Sequence, residues 1–357
     1  MKNVLESVER WLGEGKRVAL ATVIATERSA PRGPGAALAV TGGLEVAGSV
    51  SGGCVEAAVI EEAADVIRTD RPKRVTYGIS DEEGIAVGLS CGGTIHIFIE
   101  RVHPGVEVFA ALAQALHDDV PIAVATEVTG PRAGAKMLVG PGRTEGGLGD
   151  PALDAAVAAA ARTMLEHAQT DIRRYGPRGE PGRDDVEVFV HTFAPPPDMY
   201  VFGATVHASA VARIGKFLGY RVTVCDARET LATRDRLPDA DAIAVQWPDE
   251  FLAHAPVDRR TVICVLTHDP KFDIPLLKVA LATPADYIGV LGSRRTHAAR
   301  CRTLRAEGVT ETALARIRAP IGLDLGGRTP EEVAVSIAAE IIALRYGRPA
   351  GGRLEAG

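Results

Sequence analysis

The chain of 357 residues lacks the features that mark membrane, secreted and nucleic-acid-binding proteins. No uncharged apolar run reaches the roughly 18 residues that a membrane span requires. The N-terminal segment has neither the apolar core nor the cleavage site of a signal peptide. With a net charge of −6, the chain offers no broad cationic surface to a nucleic-acid backbone or an anionic membrane. We therefore expect a cytoplasmic protein that binds neither nucleic acid nor membrane.

Cysteine is also scarce. The five cysteines stand at positions 54, 91, 225, 264 and 301, and no two of them are separated by only two residues. The odd count and the wide spacing argue against a disulfide framework and against a closed zinc site. We expect free thiols and no metal bound by protein side chains, and a two-thiol metal site at Cys54 and Cys91 is the competing interpretation.

The residues that are present are typical of a globular protein with two domains. Apolar residues make up 46% and charged residues 24% of the chain, and its length suits two cores. The prolines of residues 194–198 form a stiff linker. We predict an N-terminal domain over residues 1–193, with a more weakly patterned middle part over 101–193, a Rossmann-like domain over 199–346, and a flexible tail over 347–357. We see no internal repeat.

The apolar periodicity predicts α/β structure in both domains. In the first, a helix over residues 2–14 precedes a strand over 17–26 that is apolar on both faces, a hairpin and a helix from Val55. In the second, strands and helices alternate, which indicates a doubly wound parallel sheet. Thr329, followed by Pro330, is the predicted N-cap of the last helix. The fold class is therefore a mixed α/β domain followed by a Rossmann-like domain.

Ser51, Gly52, Gly53 and Cys54 come directly before the helix predicted from Val55. At a helix start, free backbone N–H groups and the helix dipole favour an anion, and glycines let a bulky ligand approach the backbone. The same dipole favours the thiolate of a cysteine. The loop is a candidate ligand site with Cys54 as a reactive or sulfur-carrying thiol, and a tight turn with a small buried cysteine is the alternative.

A mirrored cluster, Ser90-Cys91-Gly92-Gly93, precedes a strand that begins at Thr94. Two such clusters in one domain suggest that both loops line one pocket, with both thiols facing it. Arg32 lies in a third loop, rich in proline and glycine, and arginine suits the capture of a phosphate or stacking on a flat ring. We expect Arg32, Gly92 and Gly93 to belong to the same site, unless Arg32 is an ordinary surface arginine.

In the second domain, Gly203-Ala204-Thr205-Val206-His207-Ala208 lies where a dinucleotide-binding loop belongs. Asp226 stands at the end of the second strand, where an acid binds a ribose hydroxyl. Thr205 replaces the second glycine, which lets the backbone approach a pyrophosphate. The sequence thus leaves open a dinucleotide site, or a Rossmann scaffold with a modified ligand or none.

His268, Ser293 and Arg294 follow later strands of the same predicted sheet. The carboxyl ends of such strands form the edge at which open α/β sheets bind ligands, and Ser293 and Arg294 suit a phosphate at a helix start. The alternatives are a hydrogen-bonded turn residue for His268 and a solvated helix turn for Arg294.

Together these motifs resemble the XdhC/CoxI family. The N-terminal resemblance rests on residues 29–36, 48–56 and 91–93, and the C-terminal one on residues 201–208, 267–269, 288–295, 320–324 and 328–332. It covers residues 1–100 and 196–346. The family's loop usually reads Gly-Ala-Gly-His-Val-Ala, whereas here Thr205 and His207 change that order.

The resemblance implies a protein that binds molybdenum cofactor, protects it during sulfuration and inserts it into a xanthine or carbon-monoxide dehydrogenase type of molybdenum hydroxylase. It also implies a homodimer that meets a cysteine desulfurase. On this interpretation Cys54 and Cys91 handle sulfur, and the chain is a cofactor chaperone rather than a turnover enzyme. The alternative function is an NAD(P)-dependent oxidoreductase that uses Gly203, Asp226 and His268.

Overall fold

The computed structural model describes residues 2–28, 30–78, 93–103 and 107–347. The chain divides into two units between Pro195 and Pro196. Each unit has hydrophobic clusters of its own. Within the described residues, no helix is long and apolar enough to cross a membrane.

The first unit contains two five-stranded antiparallel sheets, each with its own helices. The elements of its first half are α1 (Lys2–Gly13), β1 (Val18–Glu27), β2 (Ala37–Thr41), β3 (Val46–Gly48), α2 (Glu56–Thr69), β4 (Lys73–Tyr77) and β5 (Thr94–Val102). Those of its second half are α3 (Glu107–His117), β6 (Ile122–Glu127), β7 (Lys136–Val139), β8 (Thr144–Gly146), α4 (Pro151–Glu166), β9 (Asp171–Tyr175) and β10 (Val186–Phe193). The strand orders are β3-β2-β1-β5-β4 and β8-β7-β6-β10-β9.

The two halves are copies of one arrangement. Each runs through a helix, three strands, a helix and two strands, and orders its strands in the same way. The registers also agree, because Thr22 lies opposite Phe98 in the first sheet and Thr126 lies opposite Phe189 in the second. Our expectation of no internal repeat is therefore wrong at the level of the fold. The repeat is carried by the pattern of buried positions more than by residue identity.

β1 is buried on both faces, as predicted. Ala19, Ala21 and Val23 share a cluster with the apolar stripe of α2, where full burial of each valine or isoleucine contributes about 1.5–3 kcal/mol. On the other face, Ile24 packs with Phe98 and with Phe189 of the second sheet. The central strand of the first sheet therefore separates a helix-covered face from a face that packs against the second half.

The second unit is a six-stranded parallel sheet with helices. Its elements are β11 (Asp198–Phe202), α5 (Val206–Phe217), β12 (Arg221–Cys225), β13 (Ala242–Ala244), α6 (Pro248–His254), β14 (Val262–Val265), α7 (Pro270–Ala282), β15 (Tyr287–Val290), α8 (Arg294–Ala306), α9 (Glu311–Leu314), β16 (Ile317–Arg318) and α10 (Pro330–Arg345). The order β13-β12-β11-β14-β15-β16 is that of dinucleotide-binding folds, with a switch point between β11 and β14. The predicted fold class is confirmed.

The start of α10 also confirms its predicted cap. Thr329 Oγ1 accepts a hydrogen bond from the Glu332 N–H at 3.2 Å, and Glu332 Oε2 accepts one from the Thr329 N–H at 3.0 Å. This reciprocal pair satisfies two N–H groups that a helix start would otherwise leave without a partner.

Candidate functional site

The first sheet brings two predicted loops to the same end: the Arg32 loop (residues 30–36) and the Cys54 loop (residues 49–55). α2 runs antiparallel to β1. The last residue of β2 pairs with the first residue of β1, and Gly42 follows it. Gly42 lies next to Ile67, which is near the end of α2. A Cβ on Gly42 would lie 3.8 Å from Ile67 Cγ2. The start of α2, with the Cys54 loop, therefore lies where β1 ends and the Arg32 loop follows.

The packing agrees with this placement. Ala30 and Ala36 of the Arg32 loop pack against the same hydrophobic cluster as Cys54. Gly93 is buried immediately before β5, whose first residue pairs with the last residue of β1, so it also lies at this end. Cys91 and Gly92 lie outside the described residues, and the meeting of the two thiols stays a prediction.

One carboxylate organises the Cys54 loop. Glu56 Oε1 accepts hydrogen bonds from Ser49 Oγ at 2.7 Å, the Val50 N–H at 3.2 Å and the Ser51 N–H at 2.9 Å. Glu56 Oε2 accepts from Ser51 Oγ and from the Gly53 N–H at 2.8 Å. Burial raises the pKa of Glu56, but the hydrogen bonds from the serines and the backbone outweigh it and lower that pKa to about 2. The loop is thus built around an acceptor that is charged at neutral pH.

This arrangement corrects one part of the prediction. We expected the loop N–H groups to be open to an anion, but those of Val50, Ser51 and Gly53 donate to Glu56. Two more N–H groups of the loop donate to serine hydroxyls, at 2.9 and 3.0 Å. A phosphate held at this helix start would meet a carboxylate, so its positive partner must come from another loop.

The outer side of the Cys54 loop is open. Gly52 and Gly53 have φ angles of +76° and +118°, which favour glycine, and a Cβ built on either would meet nothing within 4 Å. Cys54 follows them with part of its surface exposed. A flat ligand can therefore lie directly against the peptide planes, next to the partly exposed Cys54.

The second half also has an arginine in the loop before its second strand. Arg132 lies in the loop before β7, as Arg32 lies in the loop before β2, and its Nη1 donates to the Leu148 carbonyl at 3.1 Å. Leu148 corresponds to Val50 of the Cys54 loop, since each N–H donates to the carboxylate six residues later. Arg132 itself corresponds to Gly33, because the Ala135 N–H bonds to the Arg132 carbonyl as the Ala36 N–H bonds to the Gly33 carbonyl. Arg32 is the preceding residue, and its side chain is exposed.

In the second unit, Gly203 and Asp226 lie together at the carboxyl edge of the sheet. Gly203 is pressed against Thr267 of the neighbouring strand end, since a Cβ on it would be 2.7 Å from Thr267 Cγ2. Asp226 Oδ2 accepts from the Ala204 N–H at 2.7 Å, and Arg228 binds both carboxylate oxygens at 2.9 and 2.7 Å. The Asp226 side chain is 2% exposed. The Asp226 carboxylate thus has partners within the chain, and its predicted role in binding a ribose hydroxyl stays a prediction.

The pKa of Asp226 reflects the same contacts. Burial raises it, but the hydrogen bonds from Arg228 and from the Ala204 N–H lower it below its ordinary value. The sequence holds one signal of this pairing, because Arg228 follows Asp226 by two residues. The acid therefore holds the loop after β11 and does not face solvent.

A buried ion pair that sequence reasoning missed lies under the next two strand ends. Arg300 Nε donates to Asp273 Oδ2 at 2.9 Å, and Arg300 Nη1 donates to the Leu291 carbonyl at 3.0 Å. Thr267 Oγ1 donates to the other carboxylate oxygen of Asp273. The pair joins the loop after β14 to the loop after β15 and fixes the edge that carries the predicted residues.

Those residues have different environments. His268 and Arg294 are exposed on neighbouring strand ends, after β14 and β15. Ser293 is the N-cap of α8, and its Oγ accepts from the Thr296 N–H at 3.1 Å. Among the described residues, no group of three or more histidine, cysteine and acidic side chains is arranged to hold a metal ion.

Comparison with known proteins assigns the family. Residues 199–341 match the family profile of the XdhC Rossmann domain, and residues 11–78 and 115–176 match that of the XdhC and CoxI family. The chain belongs to the XdhC and CoxI family. The resemblance inferred from the motifs is confirmed, and the Arg32 and Cys54 loops lie inside the matched residues of the XdhC and CoxI profile.

Two relatives of this XdhC-type chain match it over most of their length. It is 24% identical over 348 residues to a protein of Bacillus subtilis named as a probable subunit of xanthine dehydrogenase, covering 97% of this chain and 98% of the relative. It is 24% identical over 344 residues to the molybdenum cofactor insertion chaperone PaoD of Escherichia coli, covering 96% of this chain and 88% of the relative.

A solved structure supports the XdhC-type fold. The crystal structure of a protein from Bacillus halodurans described as a xanthine dehydrogenase aligns with a TM-score of 0.68 at 23% identity, covering 99% of this chain and 98% of that one. At this identity the likeness concerns the fold alone.

Proposed function

We propose that this chain binds a molybdenum cofactor and inserts it into a molybdenum hydroxylase of the xanthine dehydrogenase type. The observation that carries the proposal is the Cys54 loop, which presents an open glycine pair and a partly exposed cysteine in a family with a relative named as a molybdenum cofactor insertion chaperone. The chain then acts as a carrier of a prosthetic group, and no substrate turnover by this protein is required.

The loop suits the organic part of such a cofactor, which is a flat pterin bearing a phosphate. Gly52 and Gly53 leave room for the ring against the backbone. The phosphate is repelled by Glu56, so the proposal assigns it to the guanidinium of Arg32 and, as a second cation at the same sheet end, Arg28. When bound, the cofactor supplies the molybdenum centre on which the recipient enzyme depends.

We also propose a role for this chain in sulfuration of the cofactor. Cys54 is the thiol that we assign to sulfuration, with a cysteine desulfurase as donor. The Cys54 thiolate attacks the outer sulfur of the desulfurase persulfide, and the desulfurase thiolate leaves, so that the sulfane sulfur moves to Cys54. The exposure of Cys54, in contrast to the buried Cys225 and Cys264, supports this choice. A homodimer belongs to the same proposal.

Reconstitution of an apo-hydroxylase tests both parts. The pterin bound to the purified full chain is quantified by fluorescence after oxidation, and hydroxylase activation is measured after mixing. We expect about one pterin per chain, less than one tenth of it in Arg32→Gln, and unchanged binding in the control Arg68→Gln, an exposed arginine of α2. Cys54→Ser should retain the pterin but lose at least tenfold in activation, whereas Cys301→Ser should not.

Two outcomes would contradict the proposal. The absence of bound pterin from the wild-type chain, together with no gain in hydroxylase activity, would reject the carrier function. Normal activation by Cys54→Ser would reject only the sulfur role of Cys54.

The rival function, an NAD(P)-dependent oxidoreductase, has weaker support from the geometry. The strand order and Gly203 suit a dinucleotide, but Asp226 is closed by Ala204 and Arg228. Titration of the chain with NADH and NADPH, followed by nicotinamide fluorescence, separates the two functions. Saturable binding with turnover of a carbonyl substrate would favour the rival.

A further inference from the structure

A cavity of about 220 Å³ lies between the two sheets of the first unit, on the face of β1 away from α2. Equivalent positions of the two halves line it, among them Thr22 and Thr126, and Phe98 and Phe189. The cavity is therefore a product of the repeat. The first sheet lies between it and the Cys54 loop, and Gly35 of the Arg32 loop approaches its wall at His191. A ligand in this cavity therefore lies on the opposite face of the sheet from the Cys54 loop.

The size of the cavity exceeds that of a single ring. An engineered apolar cavity of about 150 Å³ in another protein is known to bind benzene. A volume of about 220 Å³ accordingly suits a fused bicyclic ring.

The walls favour an aromatic occupant. Phe189, His191 and Phe193 follow one another on the same face of β10, with ring centroids 5.7 and 4.1 Å apart. Phe98 of the first half lines the cavity as well. Aromatic rings recognise another ring through offset and edge-to-face contacts at such distances.

The charges around the cavity cancel. Lys136 Nζ lies 2.6 Å from Glu100 Oε1 and forms an ion pair with it. Burial lowers the pKa of His191 to about 3, so this histidine is neutral near pH 7. An ionic ligand would lose its hydration without gaining an opposite charge, whereas an uncharged one would not.

The charged residues at the rim are paired too. Arg101 and His103 line the cavity and both contact Asp70, at 3.4 and 3.0 Å. The carboxylate of Asp70 therefore offsets the charge of Arg101, whose Nε–H is buried without a hydrogen-bond acceptor among the described residues.

Two polar side chains in the cavity wall can exchange hydrogen bonds with a ligand. Thr22 and His191 both line the cavity, and within the described part of the chain neither the Thr22 hydroxyl nor a ring nitrogen of His191 forms a hydrogen bond. Neither group is sealed in the protein interior, so each is open to a molecule that enters the cavity. A ligand that donates and accepts hydrogen bonds would satisfy both.

We propose that this cavity binds an uncharged bicyclic heteroaromatic molecule that exchanges hydrogen bonds with Thr22 and His191. The ring body lies between Phe98 and the rings of β10. Pure hydrocarbons are excluded from this class of ligand because they form no hydrogen bond with Thr22 or His191. Anions are excluded because the charges around the cavity cancel.

Calorimetric titration of the full chain at pH 8 with three probes of similar shape tests the class. Benzimidazole, uncharged at this pH, should bind with one site per chain. Indene, which has the same fused rings without nitrogen, should bind about tenfold more weakly, because it forms no hydrogen bond. Benzimidazole-2-sulfonate should not bind. Failure of benzimidazole to saturate, or equal binding of indene, would overturn the proposal.

Two variants locate the site. Thr22→Val preserves the shape of the side chain, and it should weaken the binding of benzimidazole about fivefold while leaving the binding of indene unchanged. Thr76→Val, on an exposed strand outside the cavity, serves as the control. Val108→Phe, at the partly exposed lining contributed by α3, should abolish binding of both rings. Wild-type binding by a Val108→Phe chain with a native circular dichroism spectrum would refute the location. If Val108→Phe does not fold, an unchanged benzimidazole affinity in Thr22→Val refutes it instead.

Discussion

Replacement of Glu56 by glutamine is the most direct test of the Cys54 loop. If the amide oxygen keeps the three donors of Oε1, the amide nitrogen takes the place of Oε2 and faces the Gly53 N–H. Two donors then oppose each other, and Ser51 Oγ must turn to accept. The substitution changes no volume, so its effect isolates the charge and the acceptor.

The expected loss follows from the contacts. One charge-assisted hydrogen bond to Gly53 is removed, which costs about 1.5–3 kcal/mol, and the bonds that remain are weakened by about 1 kcal/mol in total when the acceptor becomes neutral. We expect the first unit to lose about 3 kcal/mol of its free energy of unfolding. Solvent screens part of this, because Glu56 is not fully buried.

The dependence on pH supplies a second signature. The folded-state pKa of Glu56 is about 2, below the ordinary value of 4.5, so the contribution of the carboxylate is fully present above pH 4.5 and is lost as the pH falls toward 2. The difference in unfolding free energy between wild type and Glu56→Gln should therefore be constant from pH 5 to 8 and shrink on acidification.

Urea unfolding followed by tryptophan fluorescence measures this difference in one unit. Trp11 is buried in the first unit and Trp247 belongs to the second, so a Trp247→Phe background leaves Trp11 as the reporter. The midpoint should shift by about 1 M urea. Glu61→Gln, an exposed acid of the same helix, is the matched control. Equal midpoints for Glu56→Gln and Glu61→Gln, or a difference that does not shrink at low pH, would refute the reasoning.

Two further predictions concern thiols and the buried ion pair. Iodoacetamide should modify Cys54 well before Cys225 and Cys264, because burial raises the pKa of both buried thiols to about 12. The order of labelling is measured by peptide mass spectrometry of the native chain. Faster labelling of a buried cysteine would contradict the prediction. Arg300→Leu should destabilise the second unit by about 3–5 kcal/mol, read from Trp247 in urea, because Asp273 keeps a buried charge without its partner. The Asp273→Leu, Arg300→Leu double variant should recover part of that loss, and a double variant no more stable than the single one would argue against the mechanism.

Sequence patterns predicted the elements whose side chains are strongly sorted by burial. β1 is buried along most of its length and α10 begins with a capping box, and both are confirmed. β4 was not predicted, because Lys73 and Arg74 open it and most of its residues are exposed, so its alternation is weak. β16 is two residues long and has no pattern of its own. Short edge strands are specified by the partner strand and not by their own sequence.

The candidate sites, like the strands, were predicted only in part. The glycines and the cysteine of residues 51–54 indicate an unusual turn. The hydrogen-bond partners of its N–H groups, however, depend on which acceptor lies next to the turn in the folded chain. Glu56 stands in the first turn of α2, where an acid is favoured by the helix dipole, and this was the available signal for its role. The pair of Asp273 and Arg300 gave none, because 27 residues separate its members and only the packing of α7 and α8 brings them together.

Comparison of the two halves distinguishes the residues of the Cys54 loop that the fold requires from those that it does not require. In the second half the equivalent connection before α4 passes through Asp150 and Pro151, where the Asp150 side chain caps the helix through the Ala152 and Leu153 N–H groups. That turn requires neither a Gly-Gly pair nor a cysteine. Both halves share a helix carboxylate that accepts the N–H before the turn, so Glu56 belongs to the common framework. The open glycines and Cys54 exceed what the connection demands, and a ligand that lies on them is the physical reason that we infer for their presence.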